Sequence, residues 1–139
     1  MEFQEKDSAV FDEVMMLLKR HPEFEKIQLN DETVISMSGL TIYMEQRKVY
    51  YKQQEIPLTV KEYGILCLLV FNRGQTITYA QIYEKVWGEL YSGSENKAIK
   101  FHIYNLRDKL NEASPDETFT IRCVREIGYC FELNSEKST

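Results

Sequence analysis

The run "NKAIKFHIYNLRDKL", residues 96–110, holds the side chains with the most to offer chemically. Its spacing predicts a helix with two faces. Ile99, Ile103, Leu106 and Leu110 recur at i, i+4, i+7 and i+11 and form an apolar stripe. Lys97, Lys100, Phe101, Tyr104, Asn105 and Asp108 fall on the other side. A face that merely meets water would be short of rings, yet this one sets Phe101 and Tyr104 among lysines. Cations on one helix face displace counterions from phosphates. The Asn105 carboxamide pairs a donor with an acceptor, as an adenine edge in a major groove requires, and a phenyl ring such as Phe101 suits a thymine methyl.

The rest of the chain must position that helix. The 139 residues suffice for one domain with its own core, and 43% hydrophobic against 28% charged residues is the balance of a soluble globular protein. The longest apolar run, "ILCLLVF" (65–71), is far too short to cross a bilayer. The acidic start "MEFQEKDSAV" lacks the layout of a signal peptide, so a cytoplasmic location with no membrane partner is expected. Net charge is −5 and the pI is near 5.1, which argues against nonspecific polyanion binding by the whole molecule. A local basic face remains open, because screening limits distant charges to a reach of roughly 10 Å.

Residues 7–20, "DSAVFDEVMMLLKR", read as an amphipathic helix stopped at His21-Pro22. Its apolar side packs on the sheet of the same chain or on a second copy, so a homodimer is one option. From Ile27 to Leu58 the pattern changes to period two, giving three or four short antiparallel strands in a meander. Thr59 with Glu62, and Thr78 with Gln81, are capping boxes that open two further helices. Gly74 and Gly88 are placed to end them, and Trp87 closes the corner between helices. "ELYSGSE" is a polar loop before the 96–110 helix, and "NEASPDET" is a loop after it. "FTIRCV" and "GYCFEL" are strands joined by the turn "REI". The expected domains are a helical segment (1–30), a helix-and-hairpin domain (31–133) and a frayed tail (134–139).

Two helices joined by a turn, the second basic and aromatic, suggest a helix-turn-helix, and the hairpin after it supplies a wing. Four runs carry a resemblance: "IPLTVKEYGIL", "NRGQTITYAQIYEKVWG", "AIKFHIYNLRDKL" and "TIRCVREIGYCF". In this order and spacing they are similar to the OmpR/PhoB-type winged-helix DNA-binding domain of bacterial response regulators, over about Val34 to Leu133. The implied fold is α+β: a four-stranded N-terminal antiparallel meander, three helices and a C-terminal hairpin wing, here with an extra N-terminal helix. The resemblance implies a transcription regulator whose partner is double-stranded DNA. It places Lys97, Lys100, Phe101, Tyr104, Asn105 and Arg107 in the major groove and Arg125 in the minor groove. Trp87 falls near the phosphates, and Tyr129, in the wing motif, joins the set. The loop Glu89, Leu90, Tyr91, Ser92, Gly93 and Ser94 matches the segment through which some relatives touch RNA polymerase.

The chain departs from that pattern at Tyr104 and Asn105, where the family often has basic residues, and at Glu126, Ile127 and Cys123. The roughly 30 upstream residues are too few for a receiver domain, so the expectation is a fragment or a regulator without phospho-control.

Other readings stand beside these. Arg107 has Glu112 as an alternative partner. Cys123 and Cys130 flank the hairpin turn in positions to face each other, and Cys67 reads as a buried hydrophobe. His102 borders the apolar stripe as a structural or phosphate-contacting residue. The competing function is a winged-helix module that binds protein and no DNA. An enzyme is not expected, since the chain has no Gly-rich phosphate loop, no GxSxG and no metal-spaced cluster. No cofactor or metal is expected.

Overall fold

The computed structural model describes residues 25–29, 32–115 and 118–134. The helix expected at 7–20 and the expected tail from 135 lie outside them. The elements are β1 (Glu25–Leu29), β2 (Glu32–Met37), β3 (Leu40–Tyr43), β4 (Lys48–Tyr51), β5 (Gln54–Ile56), α1 (Val60–Phe71), β6 (Thr76–Thr78), α2 (Tyr79–Trp87), α3 (Asn96–Ala113), β7 (Phe119–Val124) and β8 (Gly128–Leu133).

Strands β1 to β5 form one antiparallel sheet in chain order. The meander therefore has one strand more than the sequence pattern predicts, and residues 25–29 belong to the sheet rather than to the upstream segment. Its register puts Ile35, Ile42, Val49 and Ile56 on one rung, and all four are buried. Two connections are two-residue hairpins with positive φ at both positions, Ser38-Gly39 and Lys52-Gln53. That geometry matches the right-handed strand twist.

Helix α1 starts where the sequence predicts. Thr59 Oγ1 accepts from the Glu62 amide, and a Glu62 carboxylate oxygen accepts from the Thr59 amide. Every residue from Ile65 to Phe71 is buried, as a helix apolar on all sides must be. The helix ends at Phe71 with Asn72 as its cap. Gly74, at φ +82°, is the left-handed residue expected there, two positions after the cap, and donates its amide to the Phe131 carbonyl. A second reciprocal capping box, Thr78 with Gln81, starts α2, and Gly88 at φ +75° ends it.

Strand β6 is not foreseen from the sequence. Its three residues pair with β8, some fifty positions away, and make a three-stranded sheet in the order β6-β8-β7. The wing is thereby fastened to the residues that open α2. Gly128 is where the two strands meet most closely: a Cβ there would lie 1.9 Å from the Ile77 carbonyl oxygen, so only glycine fits.

Candidate nucleic-acid interface

Helix α3 runs three residues beyond Leu110 and shortens the expected loop. Its apolar stripe is the predicted one: Ile99, Ile103, Leu106 and Leu110 are all at most 4% exposed. Two positions back along the chain, Lys97, Phe101, Tyr104 and Asp108 repeat the same spacing, about 200° around the helix. All four are exposed, Phe101 by 61% and Tyr104 by 68%. Asn105 is half-buried at the edge of this face, and Lys100 is exposed beside it.

The wing lies on the same side. Tyr79, Asn96, Lys100, Cys123, Arg125 and Glu126 line one groove of about 510 Å³ between the start of α3 and the hairpin. Arg125 at the tip is 93% exposed, its Nε 3.8 Å from a carboxylate oxygen of Glu126. Glu126 adopts φ +63°, the conformation that favours glycine, where the resembled family has glycine.

Other predicted residues are drawn into the fold. Arg107 does not pair with Glu112. Its Nε donates to the Ile121 carbonyl at 2.9 Å, and its guanidinium lies 5.5 Å from the centre of the Tyr129 ring. Tyr129 is only 4% exposed and meets Tyr79 edge to face. Burial, and then the neighbouring Tyr79, push its phenol up to about 12. The expectation of Tyr129 as a surface contact is corrected: a strand facing both α2 and α3 turns this ring inward, where it locks the wing to them. The cysteine expectation is also corrected. Cys123 pairs with Tyr129, and Cys130 with Arg122, so the two thiols alternate to opposite faces of the hairpin. Cys67 is buried, and burial pushes its thiol up to about 12.

Trp87 is half-buried between helices. It stacks on Tyr83 and meets His102 edge to face, and His102 in turn meets Phe101 at 5.4 Å. Sequence reasoning missed Lys61, whose Nζ sits 5.0 Å from the centre of the Trp87 ring. The spacing between Lys61 and Trp87, far apart in sequence and on different helices, held no signal for it.

The loop from Glu89 to Ser94 is hydrogen-bonded to itself. The Glu95 carboxylate accepts from the Ser92 amide and hydroxyl and from the Gly93 amide. Partial burial works against its charge, yet these bonds hold it below the ordinary carboxylate value. Tyr83 donates to Glu89, and Tyr91 donates to Asn96. Leu90 is the exposed large apolar side chain of this loop, at 87% exposure.

No described helix is long and apolar enough to cross a membrane, and no three described His, Cys, Asp or Glu residues are grouped to hold a metal.

Comparison with known proteins matches this fold. The family model described as "Transcriptional regulatory protein, C terminal" matches residues 53–131. The regulatory protein VanR of Enterococcus faecium is 30% identical over 115 residues, which is 83% of this chain and 49% of that protein. The chain spans about half the length of the curated relatives it matches. The solved RstA DNA-binding domain of Klebsiella pneumoniae, in complex with the RstA box, is 27% identical with a TM-score of 0.62 and covers 71% of this chain and 96% of its own. The DNA-binding domain of CpxR from E. coli has a TM-score of 0.63 at 24% identity, over 72% of this chain and 96% of that one, and is similar in fold.

Proposed function

Since the chain belongs to the OmpR/PhoB-type family of C-terminal domains of transcriptional regulatory proteins, we propose that it regulates transcription by reading double-stranded DNA. The family is one of effector domains, not enzymes. Helix α3 enters the major groove with Lys97, Lys100, Phe101, Tyr104 and Asn105 outward, and Arg125 follows the adjacent minor groove. The observation that carries this reading is the shared groove. Lys100 of α3 and Arg125 of the wing line one concavity, beside two exposed rings. Arg107 and Tyr129 act one step back, holding wing and helix at a set spacing through the guanidinium–ring contact. Trp87 supports Phe101 through His102 and presents Lys61 towards a phosphate.

The loop Glu89–Ser94 serves a protein partner. A leucine exposed by 87% on a loop braced by Glu95 fits an apolar contact, and RNA polymerase is the partner the resemblance implies. The domain that reads DNA runs from the first sheet through the wing. As a pair, two such domains would occupy half-sites roughly 10–10.5 bp apart.

Selection from a random duplex library tests the reading. The expected result is a recovered motif, arranged as a tandem repeat if the protein binds as a pair. Failure to enrich any sequence favours the protein-binding module, for which Leu90 is the supporting observation.

A further inference from the structure

We infer that the chain selects its sites by the 5-methyl groups of thymines, gripped by Phe101 and Tyr104, more than by charged contacts to base edges. This rests on the DNA reading above and names what that surface recognises.

The outward stripe of α3 is Lys97, Phe101, Tyr104 and Asp108, a cation, two rings and an acid. Residues three apart on a helix lie about 5–6 Å from each other at Cβ, so the two rings form one apolar ridge. Both stay more than three-fifths exposed, although apolar surface is normally withdrawn from water. Phe101 is not loose on that surface. Its ring is backed by His102, and His102 by Trp87, at centroid separations of 5.4 and 5.5 Å. A ring held this way loses little freedom on contact.

The ridge is flanked by Lys97 and Lys100, with Arg125 across the groove. Its partner must therefore present apolar groups recessed between anionic rails. In the major groove, thymine is the base that shows a methyl group there. Two of the four cations on the helix are committed elsewhere. Arg107 bonds the Ile121 carbonyl, and Lys109 bonds Glu62 at 2.6 Å. Asp108 at the end of the stripe would meet phosphate unfavourably, which restricts the reading window to the residues before it, Lys97 to Asn105.

Deoxyuridine in place of thymidine removes the methyl and leaves base pairing intact. The test measures binding of the whole chain, at fixed salt, to a selected duplex and to copies carrying uracil at single thymines. Burying one methyl is worth about a fourfold change in affinity, so one or two positions should each lose about fourfold, and together about fifteenfold. Phe101→Ala and Tyr104→Ala should bind more weakly and lose the distinction between thymine and uracil. Tyr104→Phe should keep it. The comparison on the unmodified chain needs no variant to fold. Equal affinity for both duplexes, with selective and salt-dependent binding retained, overturns this inference and leaves the DNA reading standing. A selected motif without thymine overturns it too. If no duplex binds and an acidic, apolar peptide does, both fall.

Discussion

At the level of single residues, the interface divides into side chains that face outward and side chains that brace them. Lys100 and Arg125 line the groove and are exposed, so their loss should weaken binding without unfolding the chain. Lys100→Ala is expected to reduce the slope of log affinity against log salt by about one, the signature of one lost phosphate contact. Arg125→Ala should lower affinity most for sites with an A·T-rich minor groove beside the major-groove site. Binding measured on matched duplexes at several salt concentrations separates the two. Glu126 opposes both: it stands at φ +63°, costing backbone strain, and places a carboxylate beside Arg125 at the tip. Glu126→Gly should therefore tighten duplex binding several-fold, read as a change in Kd. The cationic and aromatic residues of 96–110 were legible because helical spacing alone sorts them from the stripe. The inward turn of Tyr129 and the capture of Arg107 were not, because both depend on how a strand distant in sequence packs against α3.

Elements are held in register by a few contacts between distant parts of the chain. Gly128 lets β8 approach β6, and a methyl group there would overlap the Ile77 carbonyl. Gly128→Ala should cost about 3 kcal/mol and detach the wing, seen as a lower urea midpoint together with reduced affinity. Glu62 caps α1 and holds Lys109 of α3 while only 2% exposed. Burial raises its carboxyl value, but the bonds from Lys109 and Thr59 outweigh that and the net shift is downward from 4.5. A value depressed in the folded state stabilises the fold above the unfolded one and is lost as pH falls through the folded one. Stability should thus decline on acidification below about pH 4.5, and Glu62→Gln should flatten that part of the profile in denaturant melts. Both capping boxes and the hairpin 119–133 could be placed from sequence, since each is decided within a few residues. Strand β6 could not, because three residues carry no period and its hydrogen bonds come from β8.

The whole molecule is acidic, yet its cations are distributed unevenly. On α3 two of the four basic residues, Arg107 and Lys109, are spent on contacts within the fold. Lys97, Lys100 and Arg125, with Lys61 over Trp87, remain to meet phosphates. The expected slope of log affinity against log salt is therefore shallow for a DNA reader, about −3.6. A slope near −8 in a salt titration would mean that the electrostatic footprint lies elsewhere on the surface.

Local spacing by itself determined the three described helices, the two capping boxes, the hairpin and the two-faced character of residues 96–110, because periodicity and capping are settled between neighbours in the chain. The tertiary structure decided which of the charged and ring-bearing side chains remain outside. It brought Arg125 to the groove of Lys100, buried Tyr129 and set Cys123 and Cys130 back to back. Those outcomes follow from strand register and from the approach of β6 to β8, which are fixed by contacts between residues far apart in sequence.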